Sequence, residues 1–505
     1  MTAVLLGIDI GTSSTKGVLV TEDGGVLASV ARAHGTSMPR PGWFEHDAEA
    51  TWWQDVCAVS RELLARAKVE VAGVCFSGIG PCCLVADKDG RPLRPAILYG
   101  VDTRAEEEII ELTERLGADR ILARGGSPLT AQAVGPKLLW LARHEPAVFE
   151  RSRRLFMASS YALYRLTGEY VLDHHSASQS DPLYDVRAGG WAEDWAEDLA
   201  GPIQLPPLRW PGEIAGFVTA EGAAATGIPA GIPVAAGTID AWSEAVSVGV
   251  REPGEAMVMY GTTMFFIAVS ERPVMDRRLW GTAGAFPGTF TLAGGMAASG
   301  SVLAWGRELA GVDYRQLIDE AADVVPGAGG LLVLPYFAGE RTPIFDTRAR
   351  GAIFGLTLGH RRAHVFRALL EGTAYGARHN LETFQDAGIC LERVVAVGGG
   401  TASELWPQIV SDVTGLDQDV PAVTIGAAYG DAFFAGVATG CVEPGTRWAT
   451  VARVIEPDPR AKERYDALYA LYRRAYAGTA GISHGLADLA VGDHDASGYE
   501  RWMAR

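Results

Sequence analysis

Gly7-Ile8-Asp9-Ile10-Gly11-Thr12-Ser13-Ser14-Thr15-Lys16 is the stretch on which the fold turns. Residues 4–10 are apolar except for one acid, Asp9, near the C-terminal end, the pattern of a buried strand. A Gly11-Thr12 turn follows, then a second strand from Thr15 to Thr21. An Asp23-Gly24-Gly25 hairpin turn leads to a third strand from Val26 to Arg32. Glycine lets a phosphate approach the backbone, and Thr12 and Ser13 add hydroxyl and N–H donors. Asp9 is placed to hold Mg²⁺ through waters, and Lys16 supplies positive charge. A tight hairpin with a solvated acid has the same residues, so this stretch alone leaves both readings open.

A second turn of the same kind stands 250 positions later. Glu255 to Tyr260 reads as a strand, runs into Gly261-Thr262-Thr263 and continues into a strand from Met264 to Val269. Two strand–Gly-Thr–strand units half a chain apart predict a duplicated architecture, each half offering one phosphate-holding loop to a shared cleft.

These motifs resemble the FGGY family of carbohydrate kinases, within the actin-like ATPase superfamily, over residues from about 3 to about 478. The first loop resembles the family's first phosphate motif, and Tyr260-Gly261-Thr262-Thr263 its second. The run Gly351 to Leu356, followed by His364-Val365 and Ala368 to Glu371, fits the C-terminal signature. Gly398-Gly399-Gly400-Thr401-Ala402-Ser403 with Trp406 resembles the adenosine motif. Lys137-Leu138 and Trp140-Leu141 match half of the N-terminal signature, although Val134 stands where Pro, Ser or Thr is expected. The resemblance implies an α/β fold of duplicated ribonuclease H-like, actin-like type, with two domains around a catalytic cleft. On this reading residues 1–250 carry the sugar and the catalytic acid, 251–480 carry most of the ATP site, and 481–505 form a surface tail.

It further implies phosphorylation of a hydroxyl of a small sugar or polyol, with ATP and Mg²⁺. Asp240, in the Gly237-Thr238-Ile239-Asp240 segment, resembles the family's catalytic base; such an acid can take the proton of an attacking hydroxyl. An Asp before a small residue is also a common helix N-cap. Asp9 is the expected metal ligand. Gly11, Thr12, Ser13 and Lys16, with Gly261, Thr262 and Thr263, are expected on the phosphates, and Gly398, Gly399, Gly400 and Thr401 on the adenosine. Partners expected are the small-molecule acceptor and ATP, and a homodimer is admitted.

The xylulose-kinase branch is nearest, on Pro41 to Glu45 and Arg94 to Ile97, yet the acceptor pocket departs from it. That branch carries Gln-Met-His after a Ser-Gly; here Ser77-Gly78 precedes Ile79-Gly80-Pro81. Its Trp two residues before an Asp is here Gly100, before Val101-Asp102. A pocket without that hydrogen-bonding His and stacking Trp is a poorer one for xylulose, roomier at Gly80 and Gly100 and more apolar at Ile79. Gly80 and Pro81 are expected beside the acceptor. Asp102 and Arg104 either line the pocket or form a structural ion pair. Trp242 supplies a sugar-stacking face or belongs to the core.

Composition agrees with this class. A chain of 505 residues exceeds one ordinary core, and 48% hydrophobic with 21% charged residues is ordinary for a soluble enzyme. Net charge −17 argues against a nucleic-acid partner. Six cysteines without Cys-x-x-Cys or zinc spacing read as reduced, mostly buried thiols. The first apolar run lacks a basic start, and the uncharged stretch from Gly222 to Ile239 is broken by Pro229, Pro233 and glycines. The expectation is a cytoplasmic protein without a membrane partner.

Overall fold

Strand β1, Val4–Ile10, is buried at every position in the computed structural model, which describes residues 3–490. Its aliphatic side chains pack on both faces of a sheet, so neither face admits water. On one side it pairs antiparallel with β2, Ser14–Thr21, which turns back into β3, Val26–Ala33. On the other it pairs parallel with β4, Val71–Gly78. Short strands β5, Ile214–Phe217, and β6, Pro233–Ala235, complete a six-stranded sheet of order β5-β6-β4-β1-β2-β3. The helix Gln54–Ala67 covers one face, its Val59 and Leu63 lying against Gly17 of β2.

The second half repeats the pattern. Strand β7, Glu255–Tyr260, pairs antiparallel with β8, Met264–Ser270, across the Gly261 turn, and parallel with β9, Arg393–Val397. β10, Gln418–Pro421, and β11, Val451–Ile455, extend this second sheet beyond β9. Each half thus has a central buried strand with a hairpin partner on one side and a parallel partner on the other. The fold is the duplicated α/β architecture. The helix Arg362–Asp386 buries Phe366, Leu369, Leu370, Ala377, Leu381 and Phe384, the face that the 3.6-residue period marks.

The chain groups into two compact units, neither continuous in sequence. One takes the described residues of Met1–Pro253 with Val269–Thr291 and Ile425–Ala449; the other takes Gly254–Ala268, Leu292–Thr424 and the described residues of Thr450–Arg505. The first change of unit falls between Pro253 and Gly254, near the expected residue 250, and four further changes follow, at Val269, Leu292, Ile425 and Thr450. The helix Ala427–Thr439 packs on β1 of the first unit, where a Cβ at Gly7 would lie 1.9 Å from the Ala428 carbonyl oxygen. The helix Lys462–Ala490 runs past residue 480, where a tail is expected; residues 491–505 lie outside the described residues. Among the described residues no helix is long and apolar enough to cross a membrane. All six cysteines are free thiols, four of them buried.

Candidate active site

In each Gly-Thr turn the glycine N–H donates to a carbonyl further along the same turn, three residues on in the first and two in the second. Gly11 N–H donates to Ser14 O over 2.9 Å, and Gly261 N–H to Thr263 O over 3.0 Å. Each turn is closed by its glycine, and the N–H groups of Thr12, Ser13, Thr262 and Thr263 find no protein acceptor among the described residues. Unpaired backbone donors persist where water or an anion meets them. Consecutive N–H groups of this kind form a concave anion seat. Thr12, Ser13 and Thr262 are exposed and Thr263 half-buried.

In the first unit, Asp9 is the penultimate residue of β1, with Lys16 as its register partner on β2 and Ser77 as its partner on β4. Ser77 Oγ lies 3.3 Å from Asp9 Oδ1. Asp240 opens the helix Asp240–Ser247, where a carboxylate is favoured by the exposed N–H groups of the first turn. Ile239 occupies the N-cap position, and Asp240 Oδ1 accepts only the neighbouring Ala241 N–H, over 2.8 Å. Its second oxygen remains for other chemistry. Burial pushes the Asp240 carboxyl above the ordinary aspartate range, against the pull of Ala241 N–H and Lys16. Asp9 is raised by burial and then by the Asp240 charge.

Glu244, which sequence reasoning passes over, belongs to the same field. It stands one turn beyond Asp240 on one helix face, and its carboxyl is pushed up to about 7 by burial and then by Asp240, with Lys16 opposing. The spacing of four between two acids on a helix is the signal that could have found it. Among the described residues, Lys16 is the cation that offsets the charge of all three carboxyls.

Several residues expected on the acceptor are committed elsewhere. Asp102 accepts from Arg104 Nε and Nη2 and from the Phe44 N–H, at 2.9, 2.7 and 2.7 Å, and both side chains are completely buried. Arg104 also donates to Glu45 over 2.8 Å and stacks on Trp43. Asp102 and Arg104 are therefore a structural ion pair with no atoms left for a sugar. Trp242 is buried, donates from Nε1 to Thr291 Oγ1 over 2.9 Å and lies against His175, which places it in the core. Gly80 is not roomy: a Cβ there would fall 2.8 Å from Ile239, which fills the space. Ile79 packs in the hydrophobic core, and Pro81 is buried as well. At Gly100 a Cβ would meet only Gln132, at 3.6 Å.

The second unit contains a cavity of about 1160 Å³ lined by Gly261, Thr262, Gly300, Leu303, Tyr314, Ile318, Gly399, Gly400, Leu405 and Trp406, with Arg315, Asp319, Glu404 and Gln408 among its polar groups. Apolar walls with a few polar groups suit a nucleobase and ribose. A Cβ at Gly399 would enter open space, whereas one at Gly400 would strike Trp406 at 2.5 Å. Gly398 and Thr401 do not line the cavity. Gly398 has φ +92° and lies against the Tyr260 backbone, and Thr401 Oγ1 donates to Gly398 O over 2.8 Å. Both shape the loop instead.

Models of the N-terminal and C-terminal domains of the FGGY family of carbohydrate kinases match residues 4–247 and 256–439. The chain belongs to the FGGY family of carbohydrate kinases. It is similar to a xylulose kinase of Escherichia coli strain K12, 33% identical over 442 residues, covering 86% of this chain and 90% of that protein. A glycerol kinase of Nocardia farcinica is 32% identical over 461 residues, covering 87% and 91%. A solved structure of xylulose kinase from Rhodospirillum rubrum superposes with a TM-score of 0.88 at 34% identity, covering 95% of this chain and 100% of that one. The protein is an ATP-dependent phosphotransferase acting on an alcohol group of a small sugar or polyol.

Proposed function

We propose that Asp240 is the general base of this kinase and that its acceptor is a sugar or polyol other than D-xylulose. The observation that carries the first part is the half-committed carboxyl of Asp240, one oxygen held by Ala241 N–H and the other without a hydrogen bond among the described residues. An acceptor hydroxyl in reach of that oxygen loses its proton as it attacks the γ-phosphoryl group, which passes through a loose, in-line transition state. Ionised, Asp240 accepts that proton and becomes neutral, a change that its burial favours.

The Thr12 and Ser13 N–H groups, and those of Thr262 and Thr263, would bind phosphate oxygens of ATP, with Gly11 and Gly261 shaping the two turns. Gly399 and Gly400 would lie against the adenosine. Asp9 fits a hard divalent cation. Its buried carboxyl faces other acids with one lysine to offset them, and among the described residues no three side chains form a closed metal cage, so waters and phosphate oxygens would complete the shell. Bound there, Mg²⁺ supplies neutralisation of phosphate charge. Lys16 adds to the same field. Six free thiols and a requirement for ATP support a cytoplasmic enzyme.

The acceptor reading rests on what replaces the xylulose branch's His and Trp. Pro81 has no side-chain donor, and Trp242 cannot stand in for the lost stacking face, because its indole N–H and ring are engaged in the core. Beside Gly100 stands Gln132, half-buried, its side-chain amide without a hydrogen bond among the described residues. A polar amide in place of an aromatic wall selects a differently placed hydroxyl. An ATP-consumption screen over pentuloses, hexuloses, pentitols and glycerol tests this. One missing polar contact and one missing stacking face together cost about 2–4 kcal/mol, which sets D-xylulose about 30- to 1,000-fold below the best acceptor in kcat/KM. D-Xylulose as the best acceptor would refute the reading.

A further inference from the structure

Asp431 is fully buried in the helix Ala427–Thr439 and has no part in the chemistry above. Its carboxyl is met by two serines. Ser77 Oγ donates to Oδ2 over 2.7 Å, and Ser243 Oγ to Oδ1 over 2.6 Å. Ser77 is the register partner of Asp9, and its Oγ also reaches Asp9 Oδ1. Ser243 lies three residues after Asp240 on the same helix. The two helices touch backbone to backbone at this point, since a Cβ at Gly430 would fall 1.9 Å from Ser243 O. One side chain is therefore tied both to the strand end that carries Asp9 and to the helix that carries Asp240.

A buried carboxyl is costly where an apolar side chain would pack as well. Burial raises it well above the ordinary aspartate range, and an amide, uncharged and of the same shape, is its closest replacement. An asparagine can accept from Ser77 and donate to Ser243, whose own proton is then free for Ala427 O, 3.0 Å away.

We propose that Asp431 is a positioning residue for phosphoryl transfer, fixing the spacing of Asp9 and Asp240 by binding Ser77 and Ser243 at once. The inference rests on the reading of Asp240 as base. Misplacement of reacting groups by about 1 Å costs about 100-fold. Asp431→Leu, which fills the volume without the hydrogen bonds, is expected to lower kcat by about 10- to 100-fold and leave KM for ATP nearly unchanged. Asp431→Asn should stay within about threefold of wild type. Ser243→Ala should fall between them, and adding it to Asp431→Leu should cost nothing more, since both break one link.

Each variant is measured by steady-state kinetics and thermal unfolding, with Asp240→Asn in parallel. If Asp431→Leu does not fold, Ser243→Ala alone and with Asp431→Asn carry the test: loss of kcat at unchanged KM supports the inference, and wild-type kcat overturns it. A folded Asp431→Leu with wild-type kcat, or an Asn variant as poor as the Leu variant, overturns it alone when turnover still depends on Asp240. Retained turnover in Asp240→Asn overturns the base assignment and this inference with it.

Discussion

Arg104 grips Asp102 through two parallel hydrogen bonds, Nε to Oδ1 at 2.9 Å and Nη2 to Oδ2 at 2.7 Å, with both side chains wholly buried. Removing one partner of such a pair strands the other charge, at a cost of about 3–5 kcal/mol. Asp102→Ala should therefore lower the unfolding free energy from urea titration by about that amount, read as a lower midpoint at unchanged slope. At temperatures where the variant is folded, its acceptor KM should match that of the wild type. A normal midpoint with a raised acceptor KM would return Asp102 to the pocket.

Gly399 and Gly398 should respond in opposite ways. A side chain at Gly399 enters open space at the edge of the second unit's cavity. Gly399→Val should leave thermal stability intact and raise KM for ATP by about 5- to 150-fold, the equivalent of a steric penalty of about 1–3 kcal/mol. Gly398 has φ +92° and no room, a Cβ falling 2.7 Å from Tyr260 O. Gly398→Ala should lower Tm first. Equal Tm losses in both would contradict the assignment of Gly399 to the nucleotide.

The Glu244 carboxyl gives a pH dependence of stability with a defined sign. Its folded value is raised from 4.5 to about 7, so the folded state binds more protons than the unfolded state between those limits. The stabilisation is complete below 4.5 and is lost as pH rises through about 7. Glu244→Gln is neutral throughout and escapes that loss. In metal-free protein, the Tm of the variant minus that of the wild type should grow with pH across this window and then level off. A difference independent of pH would place Glu244 in solvent.

Much of the architecture is legible in the sequence, because its signals are local. The strands around Asp9 and Tyr260 follow from apolar runs cut by Gly-Thr turns, and the helix Arg362–Asp386 from its apolar period. The grouping of Ile425–Ala449 with the first unit is not legible. It depends on backbone contacts such as Gly430 against Ser243 O, between residues far apart in the chain. The same distance hides Asp431 as a partner of Ser77 and Ser243. At Gly80 the sequence shows a side chain missing but not Ile239 filling its place. At Asp102 the sequence shows two charges, while their complete burial follows only from the fold around Trp43 and Glu45.

The most direct measurement is turnover of Asp240→Asn with the best acceptor of the screen, beside ATP affinity measured by calorimetry. General-base assistance is worth about 10²–10⁴-fold, so kcat should fall by that factor. ATP affinity should stay near the wild-type value, because Asp240 is assigned to the acceptor hydroxyl and the nucleoside to the cavity beside Gly399 and Gly400. A variant that keeps more than about half of the wild-type kcat would contradict Asp240 as the base.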